Sequence, residues 1–193
     1  QALHPRALAA VWDHSNFCHD LTGRLGRTAY FIAATTFGPE DLAQEVIDRV
    51  NRIHAQIQGV LPDGRSYRAN EPELVEWVHM AEVHCFLQAY QSLSTRPLGP
   101  AEVNRYLREV GRSGLALGAR TVPVTQEELA SGLAARRGDL QIDERTRQTH
   151  AWIEALPQQS PQAWLTQAMV AQALSTLPDW ALTLMGKPET KTN

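Results

Sequence analysis

Apolar residues recur at helical spacing along most of this chain, and this pattern constrains the fold more than any other feature of the sequence. The clearest example is the segment 39–59, in which the apolar residues fall on one face of a helix. They are Leu42, Val46, Ile47, Val50, Ile53 and Ile57. Alternation of apolar and polar residues, which is typical of half-buried strands, is scarce. We therefore predict a mainly α fold.

Proline, glycine and capping residues divide this pattern into successive helices. The predicted helices cover residues 5–12, 24–37, 39–59, 71–92 and 98–117. A capping-box pattern at 125–128 opens another helix. Prolines at 157, 161 and 178 are expected to break the helices between residues 143 and 185. Two polar segments separate helices: residues 14–23 read as a turn, and residues 61–70 as a loop or short hairpin.

The size and composition of the chain are those of one globular domain. Its 193 residues are enough for a single core, and 43% of them are apolar and 20% charged. The formal net charge of -3 argues against nucleic acid or an anionic membrane as a partner. We assign residues 1–186 to one domain and expect the polar tail 187–193 to be disordered.

Cysteine usage and hydropathy point to a cytoplasmic protein. The two cysteines, Cys18 and Cys85, cannot build a disulfide framework and fit a reducing compartment. No apolar run approaches the roughly 18 to 20 residues that cross a bilayer, and no signal peptide is visible. The sequence begins with Gln1 instead of Met, so an upstream signal or anchor stays open as an alternative.

The first candidate site residue is His54. It follows Val50 by four residues and Ile47 by seven, so it lies on the apolar face of its predicted helix. One interpretation is a core histidine that is hydrogen-bonded to a backbone carbonyl, and spacing alone favours it. The other is a metal or haem ligand, because a neutral imidazole held by a helix is a common ligand.

A second unusual face lies on the predicted helix 71–92. His79 and Glu82 are neighbours on a stripe that is otherwise apolar and includes Val78 and Phe86. Glu82 at the edge of the stripe, accepting a hydrogen bond from His79, is one interpretation. The alternative is a functional pair that orients a ligand or transfers a proton. His84 is nearly 140° around the helix from His79, so the two are not expected to bind one metal.

A third group stands at the start of the predicted helix 24–37. Arg24, Arg27 and Thr28 are spaced to project to one side. Two guanidinium groups and a hydroxyl suit a carboxylate or phosphate, haem propionates included. The alternative is a solvated basic face.

Taken together, these groups follow an order that resembles a known family. The motifs are H-P at 4–5, D-H-S at 13–15, G-R-L-G-R-T at 23–28, R-I-H-A-Q-I-Q-G at 52–59, G-R-S-Y-R-A at 64–69 and W-V-H at 77–79. This series resembles the family of the fungal MpaB oxygenases, the bacterial latex-clearing proteins (rubber oxygenases) and many uncharacterised bacterial proteins. The resemblance covers roughly residues 1–120, and it is the order of the motifs, not any single one, that is specific.

The resemblance implies a helical fold with a globin-like core that holds haem b. It implies that His54 is the axial ligand of the iron, and that Arg24 and Thr28 lie on the distal side. Arg27 stands where the latex-clearing enzymes carry a lysine, and a permanently protonated arginine binds iron poorly. His79 would lie near the haem pocket with Glu82 beside it.

The leading hypothesis from the sequence is therefore a haem-dependent oxidoreductase of the oxygenase type. Its partners would be haem, dioxygen and a hydrophobic organic substrate, with Arg24, Arg27, Thr28, His79 and Glu82 in catalytic roles. Three alternatives stay open: a haem-binding sensor or carrier without turnover, a helical interaction protein without a cofactor, and a non-haem metal site. Nucleotide-binding glycine loops and the nucleophile elbow of the α/β-hydrolases are absent from the sequence.

Overall fold

The computed structural model describes residues 2–159 and 162–186, and these residues form helices joined by short loops and one β-hairpin. The helices are α1 (Pro5–His14), α2 (Leu21–Phe37), α3 (Glu40–His54), α4 (Pro72–Leu93), α5 (Pro100–Ala116), α6 (Gln126–Ala135), α7 (Glu144–Gln159), α8 (Ala163–Ser175) and α9 (Asp179–Leu184). The hairpin pairs β1 (Gln58–Val60) with β2 (Ser66–Arg68), and a 3-10 turn spans Arg137–Asp139. The mainly α prediction is confirmed.

The main core is built around α4. Proline opens this helix, where the missing N–H leaves no hydrogen bond unmade, and its apolar residues then recur on one face. The face packs against α1, α5 and α6. Its buried side chains are Leu74, Trp77, Met80, Val83 and Leu87, which meet Val103 and Leu107 of α5 and Leu129 and Leu133 of α6. Helix α4 is thus the element on which the rest of the domain is assembled.

A smaller cluster forms around the hairpin, with Tyr67 at its centre. Tyr67 is 1% exposed, and its hydroxyl donates to a carboxylate oxygen of Asp13, 2.8 Å away. Arg145 of α7 closes an ion pair with the same carboxylate at 2.9 Å. Gly59 lies opposite Tyr67 in the hairpin, and a Cβ there would stand 2.5 Å from the tyrosine hydroxyl oxygen. The contacts join α1, the hairpin and α7.

Helices α2 and α3 pack mainly against each other. In α2 the only fully buried side chain is Ala34, whereas Phe37 is 86% exposed and Tyr30 56% exposed. On α3 the buried residues are Val46 and Ile47. The α2–α3 pair therefore stands apart from the core around α4.

Two predicted helix ends differ from the structure. Helix α2 begins at Leu21 instead of residue 24, because the Asp20 carboxylate caps it by accepting the N–H of Gly23 at 2.9 Å. Helix α3 ends at His54 instead of continuing to Gly59, because the residues that follow turn into β1 and pair with β2. The hairpin in the segment 61–70 is confirmed, although its first strand begins earlier.

The C-terminal prolines behave differently from one another. Helix α7 continues to Gln159, so the break predicted at Pro157 is wrong. Pro178 caps the start of α9, and the break predicted there is confirmed. Pro161 and the tail 187–193 lie outside the described residues. The globin-like arrangement implied by the resemblance stays a prediction.

Candidate functional site

Arg24 of α2 is held by a neutral partner. Its Nη1 donates to the Ser15 hydroxyl at 2.9 Å, across the turn between α1 and α2. Burial, and then the positive charge of Arg27, lower the pKa of Arg24. Thr28 donates its hydroxyl proton to the Arg24 carbonyl at 3.2 Å, one turn back along the helix. The proton of Thr28 is thus used within α2.

Arg27 has a different environment, although it shares the predicted face with Arg24. Its side chain is 66% exposed, and its ion pair with Asp20 is long, at 3.4 Å. An ion pair of this kind contributes little to stability. The predicted trio is therefore uneven: Arg24 is half-buried, whereas Arg27 and Thr28 are exposed.

His54 is the last residue of α3, at the junction with the hairpin. Its ring is half-buried, and the Nδ1 atom is fully buried without a hydrogen-bond partner. Burial lowers the pKa of His54, so the imidazole is neutral at physiological pH. In the described part of the chain no backbone carbonyl accepts from this nitrogen, which does not fit a satisfied core histidine.

His79 of α4 is also half-buried and lacks a partner at one ring nitrogen. Its Nε2 is fully buried without a hydrogen bond, and burial lowers its pKa. The ring lies against Gly114 of α5: a Cβ added there would stand 2.9 Å from the His79 Cγ and Nδ1 and 2.9 Å from a methyl group of Val122. A glycine at position 114 therefore leaves room for this imidazole between α4 and α5.

Glu82 follows His79 by one turn but does not pair with it. Among the described residues no hydrogen bond joins the two, so the interpretation of Glu82 as the acceptor for His79 is wrong. Burial raises the pKa of Glu82, which therefore keeps its proton to a higher pH than an ordinary carboxyl. Burial, and then the charge of Glu82, raise the pKa of Tyr106 of α5.

One turn before His79, α4 carries the acidic partner of an ion pair that sequence analysis missed. Glu76 is 7% exposed, and its carboxylate accepts from the Arg136 Nη2 at 2.6 Å and from the backbone N–H groups of Arg120 and Thr121 at 3.1 and 3.3 Å. The pair borders a cavity of about 380 Å³. The cavity is lined by Glu76, Met80, Thr121, Val122, Pro123, Val124, Glu128, Gly132 and Arg136. Because 60 residues separate the two partners, no local spacing signals them.

The whole sequence matches one known protein family. Residues 1–193 match the family described as ER-bound oxygenase mpaB/B'/rubber oxygenase, catalytic domain. The chain belongs to this family. A search of curated proteins and a search of solved structures each found no match.

Membership of the mpaB/rubber oxygenase family extends the resemblance seen in the sequence. The match covers the whole chain, whereas the motifs covered roughly its first 120 residues. It is an oxygenase catalytic-domain family, so the chain is an enzyme of the oxygenase type. Within residues 2–159 and 162–186, no helix is both long and apolar enough to cross a membrane.

The structure bears differently on the two metal-binding hypotheses, a non-haem metal site and a haem site. In the part of the chain that the structure describes, no three histidine, cysteine or acidic side chains come together as a metal site. The non-haem alternative built from His54, His79 and Glu82 is therefore not supported. Ligation of a haem iron requires only one histidine from the protein, so this result leaves the haem hypothesis standing.

Proposed function

We propose that this mpaB/rubber oxygenase family member binds haem b through His54 and oxidises a hydrophobic organic substrate with dioxygen. The observation that carries the proposal is the buried, unpartnered ring nitrogen of His54 at the end of α3. A buried polar atom without a partner is costly, by about 1 to 3 kcal/mol, and such an atom calls for an explanation. Reorientation of the ring toward a bound ligand supplies one.

The chemistry of His54 fits a haem ligand. An iron ligand must be unprotonated, and burial lowers the pKa of this imidazole in the folded chain. Ile53, beside it in the chain, is 48% exposed although it is apolar. A porphyrin is largely apolar, so a partly exposed apolar side chain next to His54 suits it better than it suits water.

Bound haem would supply the iron at which dioxygen is activated. The role of Arg24 follows from its charge: a half-buried guanidinium stabilises a negative charge nearby more strongly than an exposed one does. Arg27 and Thr28 lie on the same side of α2 but are exposed, so we assign them weaker supporting roles in binding. Arg27 stays protonated and holds charge without ligating a metal.

His79 and Glu82 are suited to holding protons. The Nε2 atom of His79 is unpartnered, and the neutral ring can accept or donate a proton depending on its tautomer. The raised pKa of Glu82 lets its carboxyl retain a proton closer to neutral pH. We propose that these two residues, which do not bond to each other, each exchange protons with the reaction site.

The proposal is tested by the absorption spectrum of the purified chain, before and after addition of hemin. We expect a Soret band near one haem per chain in the wild type and its loss, or a large shift, in His54→Ala. His84→Ala is the matched control, because His84 is also a half-buried histidine but lies elsewhere, on α4. The control should keep the wild-type band.

Two results would contradict the proposal. A colourless chain that takes up no hemin would remove haem from the function. An unchanged Soret band in His54→Ala would place the iron ligand elsewhere. A normal band without dioxygen consumption, across a series of apolar substrates, would instead indicate the sensor or carrier alternative.

A further inference from the structure

The two arginines of α2 are held by different kinds of partner. Arg27 pairs with a carboxylate, that of Asp20. Arg24 is held by the hydroxyl of Ser15, which brings no charge. Although Arg24 is the more buried of the two, it is the one without an ionic partner among the described residues.

Nearby carboxylates do not compensate the charge of Arg24. Asp20 is the nearest acidic residue along the chain, but it accepts the N–H of Gly23 and the guanidinium of Arg27. The first turn of α2 contains no acidic side chain. In the part of the chain that the structure describes, the charged side chain that affects the pKa of Arg24 is Arg27, a second cation. Partial burial of a cation with only neutral partners weakens its solvation, and an anionic ligand would offset that loss.

We propose that Ser15 is a positioning residue that fixes Arg24 while leaving its charge uncompensated, so that Arg24 receives a carboxylate of the bound porphyrin. This inference rests on the proposed haem site. It assigns the carboxylate to Arg24 and not to Arg27, whose charge Asp20 already offsets. A hydroxyl suits this task because it orients the guanidinium through one hydrogen bond and competes for none of its charge.

The experiment compares hemin with hemin dimethyl ester, which carries the same iron and ring but no carboxylates. Each is titrated into the haem-free chain and followed by the Soret band. We expect the wild type to bind hemin about ten-fold more tightly than the ester. Ser15→Ala should reduce this preference several-fold, and Ser15→Asp should abolish it, because the new carboxylate pairs with Arg24.

Two further variants separate positioning from general structural effects. Ser15→Thr keeps the hydroxyl and should keep the preference for hemin. Thr35→Ala removes a hydroxyl from the same helix, one that donates only to backbone carbonyls, and should also keep the preference. A Ser15→Asp chain that still prefers hemin as strongly as the wild type, or a wild type that binds both porphyrins equally, overturns the inference.

Failure of the haem proposal gives a different result, because then neither porphyrin binds. In that case the side-chain N–H signal of Arg24 is followed by NMR while sodium propionate is added, with sodium chloride at equal ionic strength as the control. A propionate-specific shift in the wild type that is absent from Ser15→Asp supports a carboxylate site without haem. No shift in the wild type overturns the inference as well.

Discussion

Helices α4 and α2 differ sharply in how much of their surface the fold covers. In α4, seven of its 22 residues are buried, and one of these is the charged Glu76. In α2, one of 17 residues is buried. The buried core and the proposed haem-binding residues His54 and Arg24 therefore lie in different parts of the molecule, although His79 and Glu82 lie on α4. The core around α4 holds the domain together, whereas α2 carries Arg24 and borders the helix that ends in His54.

Such a division is common, because elements that bind ligands are drawn from the less stable parts of a fold. The same difference in packing separates the two histidines that have an unpartnered ring nitrogen, His54 and His79. His79 belongs to the well-packed helix and is confined by Gly114. His54 ends α3, whose main contact is with α2. The two histidines therefore lie in differently packed regions, although both are half-buried with an unpartnered nitrogen.

The largest expected effect comes from truncating one apolar side chain in each region. Leu107→Ala in α5 removes a side chain that is 1% exposed and should lower the free energy of unfolding by about 4 kcal/mol. Phe37→Ala removes a larger side chain, but one that is 86% exposed, and should change it by less than about 0.5 kcal/mol. Urea unfolding followed by circular dichroism measures both. Equal decreases in the free energy of unfolding for the two variants would contradict the conclusion that the core around α4, and not α2, stabilises the domain.

A smaller effect is expected from pH, through a histidine in the well-packed region. His4 caps α1 beside Trp77, and burial, then Arg6, lower its pKa to about 4. The unfolded chain protonates this residue near 6.5 and the folded chain does not, so its stability contribution is present above pH 6.5 and is lost as pH falls toward 4. The loss is at most about 3 kcal/mol.

His4→Asn checks this expectation, because asparagine also caps helices but does not titrate. Its free energy of unfolding, measured from pH 7 to pH 4, should fall less steeply than that of the wild type. Parallel curves for the two proteins would show that His4 is not the source of the acid sensitivity.

The smallest effects come from adding a methyl group to one glycine in each region. Gly114→Ala crowds His79 and Val122 and should lower stability by about 2 kcal/mol, with a shift of the His79 ring signals in NMR spectra. Gly26→Ala adds a methyl group to α2, and no atom outside the nearby helix backbone lies within 4 Å of its position. Because alanine has a higher helix propensity than glycine, this change should raise the free energy of unfolding by about 0.5 to 1 kcal/mol. The same sign of change at both positions would contradict the comparison.

Much of the fold was predictable from the sequence because its signals are local. Two helix starts can be located from a few neighbouring residues. Pro72 begins α4, and the hydroxyl of Thr125 caps α6 by accepting the Glu128 N–H at 3.2 Å. The end of α3 was misplaced because it depends on pairing of Gly59 with Tyr67, a partner outside the helical pattern. Pro157 was misread because proline lowers helix stability without always ending a helix.

The candidate site was predictable only in part, for the same reason. The spacing of Arg24 and Thr28 predicts that they share a side of α2, and the hydroxyl of Thr28 does reach the Arg24 carbonyl. That Ser15 holds Arg24 depends on the turn between two helices, and periodicity says nothing about it. The ion pair of Glu76 and Arg136 likewise requires α6 to be folded against α4.

The carboxylate of Asp13 has a consequence for how the chain is made. One of its partners, Arg145, follows 132 residues later. On the ribosome, α1 and the hairpin are therefore complete long before the cation that ties them to α7 has been synthesised. Until then, among the described residues, Tyr67 is the side chain that holds the Asp13 carboxylate. Chains shortened before α7 should therefore emerge with α1 packed against α4 and the hairpin but without its tie to α7, which makes this ion pair a late step in the assembly of the domain.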